Sequence, residues 1–259
     1  GGSIIDLYMR LEDCTLSEAI CRLGQKALER TAYCSCSSKR ETSISPNQIE
    51  NVTASGTRRL ICLSDTLPPH LQEYLKKERC IDLEKATPFL KCISYEVRGR
   101  RYEAIGFANS SGGYELRDDK TFKGTIAPKD ITPIFEEKAH PVCLFEGFMD
   151  FLSFLSMKGE VTNQCLVMNS VSNVARSIHY LNKRNITSVR AFLDNDDAGR
   201  KAVQEFVNTG FKVEDMAVYY GDFKDLNDFH VRRVREQREE LEKTPNISNK
   251  IKQVKLKIR

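Results

Sequence analysis

Between residues 141 and 219 the sequence alternates short apolar runs with segments in which apolar residues recur at helical spacing. The apolar runs have the length of strands, and they are Val142–Phe145, Gln164–Met168, Val189–Leu193 and Val213–Tyr219. Apolar residues at helical spacing follow the first three runs, for example Phe148, Phe151, Leu152 and Leu155. This alternation predicts a mostly parallel sheet with helices packed on its faces.

Two of the predicted strands end abruptly in carboxylates. Glu146 follows the first strand, and Asp194 and Asp196 follow the third. Ligands bind at the carboxyl ends of strands in open parallel sheets. Asp194 and Asp196 are two positions apart, so they share a side in extended geometry. We therefore expect these acids to meet in space.

A further acidic group follows the fourth predicted strand, and it consists of Asp222, Asp225 and Asp228. Hard carboxylate oxygens favour Mg²⁺ or Mn²⁺ over zinc. Two such ions about 4 Å apart would stabilise the attacking and leaving oxygens of phosphoryl transfer. Clustered carboxylates also repel one another, which raises a pKa, and Glu146 is the candidate proton-transfer group. The alternative for any single Asp is turn or N-cap chemistry.

Two motifs resemble those of the toprim domain. Glu146-Gly-Phe-Met-Asp150 matches the E-G-x-x-D pattern, and the nine residues from Asp194 to Ala202 match D-x-D-x-A-G-x-x-A. Toprim domains occur in bacterial-type primases, topoisomerases and some nucleases. The resemblance implies Mg²⁺ (or Mn²⁺) and phosphodiester chemistry. It makes Glu146 the catalytic glutamate and Asp194 and Asp196 metal ligands.

A third segment resembles primases in particular. Lys224-Asp225-Leu-Asn-Asp228 is similar to their next acidic segment, which implies that Asp225 and Asp228 are metal ligands as well. Asn227 stands where primases usually carry the second acid of this segment. Asn169-Ser170 replaces their usual Gly-Thr turn, although Asn tolerates left-handed backbone and Ser keeps a hydroxyl.

Earlier segments also resemble bacterial-type DNA primases. Residues 71–79 and the stretch through Ile105-Gly-Phe107 are similar to the start of the primase RNA polymerase core. Residues 2–20 are similar to the segment that follows a primase zinc ribbon. The resemblance implies a compact toprim primase of a bacterial mobile element, with Zn²⁺ only in a module absent from this sequence. The opening Gly-Gly-Ser is alternatively a tag remnant.

Residues 88–134 alternate apolar and polar side chains between turn signals, which predicts a small antiparallel or mixed sheet. The resemblance places a basic surface for template and nucleotide here, and arginine can clamp phosphate with two hydrogen bonds. Cations at sheet edges also limit aggregation, which is the alternative for each residue. The candidate nucleic-acid and nucleotide-binding residues are Arg98, Arg100, Arg101, Arg117, Lys123 and Lys129.

The predicted fold class is α/β, with a toprim fold preceded by a smaller mixed α+β primase-core subdomain. The predicted divisions are a helical segment following the zinc module at 1–30, a linker at 31–58, the core subdomain at 59–138, the toprim domain at 139–230 and a basic tail at 231–259. The tail carries ten Lys and Arg against four Glu, within a net charge of +4 for the 259 residues. Such a tail suits a polyanion or is a solvated helix.

The predicted function is Mg²⁺-dependent synthesis of short RNA primers from NTPs on single-stranded DNA. The alternatives are a toprim nuclease and a non-catalytic nucleic-acid-binding accessory protein of a mobile element. The predicted partners are single-stranded DNA template, NTPs, the RNA primer and a separate helicase, with no membrane.

Several sequence features limit the alternatives. A G-x-x-x-x-G-K-[ST] loop is missing from the sequence, which argues against a built-in helicase. No apolar run is long enough to span a membrane. The nine cysteines are scattered, which predicts reduced thiols and a cytoplasmic location.

Overall fold

The structure, a computed structural model, describes residues 58–243. The predicted helical segment 1–30, the linker up to residue 57 and residues 244–259 of the predicted tail lie outside the described residues. None of the described helices combines the length and the apolar character needed to cross a membrane.

The first sheet is antiparallel, and its five strands follow one another in chain order. They are β1 (Arg59–Ser64), β2 (Leu90–Val97), β3 (Arg100–Ala108), β4 (Tyr114–Arg117) and β5 (Lys123–Ile126). Between β1 and β2 lie helix α1 (Pro69–Glu73), a π-helical turn (Tyr74–Glu78), helix α2 (Leu83–Ala86) and a 3₁₀ turn (Thr87–Phe89). Pro69 sets the backbone angle of the first turn of α1, and the Asp82 carboxylate caps α2 by accepting from the Glu84 N–H.

The second sheet is mostly parallel, with strand order β10-β9-β7-β8-β6. Its strands are β6 (Thr132–Ile134), β7 (Ala139–Phe145), β8 (Asn163–Val167), β9 (Ser188–Phe192) and β10 (Lys212–Asp215). The helices that follow are α3 (Phe148–Met157), α4 (Val174–Lys183), α5 (Asp197–Asn208) and α6 (Leu226–Lys243), with 3₁₀ turns at Val171–Asn173 and Ala217–Tyr220. The predicted α/β class, with a mostly parallel sheet preceded by a separate sheet with its own short helices, is confirmed.

Two strand assignments differ from the sequence prediction. The fourth predicted strand stops at Asp215, because its carboxylate accepts from the Ala217 N–H and starts a 3₁₀ turn. Strand β6 pairs antiparallel with β8, so it belongs to the second sheet and not to the first. Helix α6 runs through position 230, where the predicted toprim domain gives way to the predicted tail.

The core extends between the two sheets through α3. Eight successive residues of this helix, Phe148 to Leu155, are buried. Six of these eight residues are apolar, and only Asp150 and Ser153 are polar, so the helix packs on most of its circumference. The Phe148 ring stacks on Phe107 of the first sheet at 5.2 Å, while Phe151 contacts Phe145 of the second sheet at 5.8 Å. The other face of the second sheet packs against α4 and α5 through residues such as Ile178 and Phe206.

Asn227 is a buried polar link between α6 and segments distant in the chain. Asn227 is only 1% exposed. The amide oxygen accepts from Arg79 Nη1 at 3.0 Å, and the amide nitrogen donates to the Arg79 carbonyl at 3.1 Å and to Ser153 Oγ at 2.8 Å. Its backbone N–H donates to Asp150 Oδ1 at 3.1 Å. All of its amide groups are therefore used inside the protein.

We expect Asn227→Ala to lower the free energy of unfolding by about 2–4 kcal/mol, since buried hydrogen bonds contribute about 1 kcal/mol each and their partners would be left unpaired. Asn208→Ala is the control, because Asn208 is exposed and, within residues 58–243, its side chain bonds to the exposed Gln204. Thermal or denaturant unfolding measures both changes. Equal stability of the two variants would contradict the role assigned to Asn227.

Candidate active site

The acids predicted to converge do so at the carboxyl edge of the second sheet. Strands β7 and β9 are parallel neighbours with Phe145 opposite Phe192, so the residues after them emerge side by side. The Asp194 N–H donates to Glu146 Oε2 at 3.4 Å. The predicted meeting of Glu146 and Asp194 is thus present in the structure.

The loop that carries Asp194 is fixed by hydrogen bonds on both sides. Asp196 accepts from the N–H groups of Ala198 and Gly199, both at 2.9 Å, and so caps α5. The Asn195 side chain donates to the carbonyls of Tyr220 and Phe223 at 2.9 and 2.8 Å. The loop is consequently held to the segment that leads into α6.

Crowding of these carboxylates opposes their ionisation. Burial and the nearby Asp194 raise the pKa of Glu146 to about 7. Burial and Asp225 raise the pKa of Asp194 to about 6, and they raise the pKa of the fully buried Asp150 well above its ordinary value. Burial and Asp225 also raise the pKa of Asp228. A bound cation would relieve this repulsion.

A cavity of about 730 Å³ opens beside these acids. Its acidic lining comes from Glu146, Asp150, Asp194, Asp225 and Asp228, together with Glu115. Its basic lining comes largely from the first sheet and its connections, and consists of Arg58, Arg79, Arg117, Lys123, Lys129 and Lys224. Lys123 lies close enough to lower the pKa of both Glu146 and Asp194. Burial and Arg117 in turn lower the pKa of Lys123.

Most of the predicted site residues line this cavity. They are Glu146, Asp194, Asp225, Asp228, Arg117, Lys123 and Lys129. Asp196 is outside the lining and serves as the α5 cap, so its role as a metal ligand stays a prediction. Arg98, Arg100 and Arg101 are at the β2–β3 hairpin and do not line the cavity.

Sequence reasoning missed several lining residues. Arg79 follows the π-helical turn, donates to Tyr74 Oη at 2.7 Å and is held by Asn227. The sequence shows Arg79 only as part of a basic run. Its contact with Asn227 spans 148 positions and cannot be read from the chain. Asn169 and Ser170 also line the cavity, and Asn169 has a φ of 64°, so the left-handed turn expected there is present.

The donor set fits a hard divalent cation. Within residues 58–243, no three His, Cys, Asp or Glu side chains are already grouped closely enough to hold a metal ion together. Magnesium, however, takes only one or two protein carboxylates and leaves its other positions to water and phosphate. Asp194 and the nearby Asp225, whose charge raises the pKa of Asp194, match that requirement.

The second sheet and its helices match a known family. Residues 143–230 match the family model described as Toprim-like. This segment is a toprim-like domain. The match begins in β7 and ends in α6, so it includes Glu146, Asp194 and the 225–228 segment. Residues 64–127, in the first sheet and its helices, match a family described as a domain of unknown function (DUF8464).

Two solved structures are similar to parts of the chain. One is the primase fragment of the bacteriophage T7 primase-helicase protein, at 18% identity and a TM-score of 0.46, covering 76% of this chain and 82% of that one. The other is the bacteriophage T7 lagging-strand DNA polymerase interacting with primase domains bound to an RNA/DNA hybrid and dTTP, at 17% identity and a TM-score of 0.41, covering 62% and 87%. No curated protein matches the chain.

Gly199 of the toprim-like domain allows a close backbone approach. A Cβ at this position would lie 2.1 Å from the Asp194 carbonyl oxygen, so the loop would have to move.

We expect Gly199→Ala to lower the free energy of unfolding by about 1–3 kcal/mol, the usual cost of overpacking, and to displace Asp194. Gly159→Ala is the control, because a Cβ there meets nothing within 4 Å. Unfolding curves of both variants measure the change. An unchanged free energy of unfolding in Gly199→Ala would contradict the close backbone approach at this position.

Proposed function

We propose that the protein is a primase-type nucleotidyltransferase that makes short RNA primers from NTPs on single-stranded DNA. The observation that carries this proposal is the shared cavity, in which carboxylates suited to Mg²⁺ lie beside guanidinium and ammonium groups suited to phosphates. Its volume of about 730 Å³ is within the range of small-molecule sites, which is about 300–1,000 Å³. The toprim-like domain supports the same class of chemistry.

The acids divide into two proposed roles. Asp194, Asp225 and Asp228 would hold Mg²⁺ (or Mn²⁺), with Asp196 as a further ligand if its cap hydrogen bonds leave one oxygen free. The metal would supply neutralisation of charge on phosphoryl oxygens. Glu146, whose pKa is raised to about 7, is the group suited to accept a proton from the primer 3′ hydroxyl as that oxygen bonds to the α-phosphorus and pyrophosphate leaves.

The cations are assigned to the triphosphate and the template. Arg117 and Lys123 lie on the adjacent strands β4 and β5, paired in register. Burial lowers the pKa of each, so bound phosphate would restore the lost solvation of their charges. Arg79 is fixed by Tyr74 and Asn227, and Lys129 completes the basic lining. Arg98, Arg100 and Arg101 remain predicted contacts of the template.

The nuclease alternative uses the same acids and is kept because none of the cavity residues distinguishes bond formation from bond cleavage. The accessory-protein alternative would keep the nucleic-acid surface without turnover.

A single assay separates the three candidate functions, with labelled single-stranded DNA, Mg²⁺ and NTPs added in turn. RNA products indicate a primase, DNA fragments without NTPs indicate a nuclease, and neither product indicates a binding protein.

We expect Glu146→Gln to reduce RNA primer synthesis by at least about 100-fold, because positioned proton transfer typically contributes 10²–10⁴-fold. The substitution keeps the shape of the side chain and removes its charge and basicity. Labelled NTP incorporation on single-stranded DNA is the measurement.

The matched control is Asp197→Asn. Asp197 is a highly exposed neighbour that pairs with Arg200 on the same helix and is not part of the cavity lining. Its loss should leave primer synthesis within about twofold, since exposed ion pairs contribute little. Equal activity of Glu146→Gln and Asp197→Asn would contradict the catalytic assignment.

Lys123→Ala should raise the KM for NTPs by about tenfold or more, since a charge-assisted hydrogen bond contributes about 1.5–3 kcal/mol. Lys120→Ala is the control, because Lys120 is exposed in the preceding turn and does not line the cavity. Steady-state incorporation at varied NTP concentration separates KM from kcat. An unchanged KM for Lys123→Ala would remove this residue from the nucleotide site.

A further inference from the structure

One carboxylate of the cavity lining has no part in the proposed chemistry. Glu115 lies on β4 of the first sheet, whereas the other acids of the lining follow strands of the second sheet or lie at its helices. Burial raises the pKa of Glu115, while the Thr125 hydroxyl and Lys129 lower it. The other acids of the lining take no part in this shift. Glu115 is therefore electrostatically separate from the carboxylates assigned to Mg²⁺.

The Glu115 carboxylate is held in place by its neighbour on β5. Thr125 lies opposite Glu115 in the antiparallel register, and its hydroxyl donates to Glu115 Oε2 at 2.9 Å. Within residues 58–243, this carboxylate makes no ion pair and no further hydrogen bond. In this part of the chain, Glu115 Oε1 is thus an oriented acceptor at the cavity wall for which the protein supplies no donor.

The register fixes how far Glu115 lies from the proposed phosphate-binding pair. Arg117 is two residues further along β4 and lies opposite Lys123, just as Glu115 lies opposite Thr125. Side chains two positions apart on a strand share a face and are separated by about 6.5–7 Å. This spacing is on the scale of the separation between the phosphates of a nucleotide and its sugar hydroxyls. A nucleoside triphosphate with phosphates on Arg117 and Lys123 can therefore bring its sugar to Glu115.

Charge decides which part of a nucleotide a carboxylate accepts. Glu115 repels phosphate, so the triphosphate and a nucleic-acid backbone are disfavoured beside it. An ionised carboxylate only accepts hydrogen bonds, and it therefore requires a donor. The 2′ hydroxyl of ribose is such a donor, and it is the group that distinguishes RNA from DNA. Acidic side chains bind the ribose 2′ hydroxyl in dinucleotide-binding folds in this way.

We infer that Glu115 selects ribonucleoside over deoxyribonucleoside triphosphates by accepting a hydrogen bond from the ribose 2′ hydroxyl. Thr125 orients the carboxylate for this contact. With a deoxyribonucleotide bound, the half-buried carboxylate would lose water without gaining a donor, which is how sites reject an analogue that lacks a hydroxyl. The inference rests on the proposed function, because it takes the occupant of the cavity to be a nucleoside triphosphate.

Binding of matched nucleotide pairs tests this selection without any synthesis. Isothermal titration of the protein, with Mg²⁺ and without template, measures affinity for ATP and dATP and for GTP and dGTP. The wild type should bind each ribonucleotide at least about tenfold more tightly than its deoxy counterpart, as expected for one charge-assisted hydrogen bond. Glu115→Ala should bring this ratio to within about twofold of 1. A general effect of the lost negative charge would change both affinities equally and leave the ratio as it was.

A second variant tests the orientation of the carboxylate. Thr125→Val keeps the charge of Glu115 but removes the hydroxyl that holds it, so the ratio should fall by about fivefold, the effect of one ordinary hydrogen bond. Glu103→Ala is the matched control and should keep the ratio of the wild type. Glu103 is an exposed acid on β3 of the same sheet and does not line the cavity. Thermal unfolding verifies that each variant is folded.

Two outcomes would overturn the inference. One is an unchanged ratio in Glu115→Ala or, if that variant is unfolded, in Thr125→Val. The other is an affinity loss confined to one base, which would assign Glu115 to base recognition.

The same variants separate this inference from the proposed function. Selection of ATP that depends on Glu115, in a protein that makes no RNA, would support the inference and refute the proposed function. RNA synthesis together with a ratio that Glu115→Ala leaves unchanged would refute only the role of Glu115. Absence of binding by all four nucleotides would refute both.

Discussion

The parallel pairing of β7 with β9 is the constraint on which the candidate site depends. It places Glu146 and Asp194 at the ends of adjacent strands, where their carboxylates raise the cost of ionising each other. Hydrogen bonds keep this unfavourable arrangement in place: the Asp196 carboxylate accepts from two backbone N–H groups, and the Asn195 side-chain amide donates to a backbone carbonyl. A cation bound between these carboxylates would remove this repulsion.

The sheets contribute opposite charges to one cavity. The second sheet, within the toprim-like domain, supplies most of the acids, and the first sheet with its connections supplies most of the cations. Helix α3 fills the space between the sheets with aromatic side chains, so the two walls keep a fixed separation. The alignment of the cavity's cations with its acids therefore depends on apolar packing some distance from any charge.

Local patterns were sufficient to predict the parallel sheet and its acids. The sequence indicates the length of each strand, the helical spacing of apolar residues, and the acids Glu146 and Asp194 that follow two strands. Each of these features depends only on residues close together in the chain. The role of Arg79 was not predictable, since it depends on Asn227 in a segment that the fold alone brings near. The true end of the fourth strand was also missed, because Val218 and Tyr219 have strand-like character but are exposed in the 3₁₀ turn that follows Asp215. Apolar character by itself does not distinguish a buried strand from an exposed turn.

Helix α6 has a consequence for where this protein can be divided. Asn227 and His230, on successive turns, both bond to the backbone at residues 79–80, the latter through His230 Nε2 and the Cys80 carbonyl at 2.9 Å. A fragment cut after residue 230 would end α6 within its first two turns, and short isolated helical ends fray. The fraying would release the backbone that orients Arg79. Boundaries for expressing the two sheets as one fragment therefore belong beyond residue 243, not at the limit of the family match.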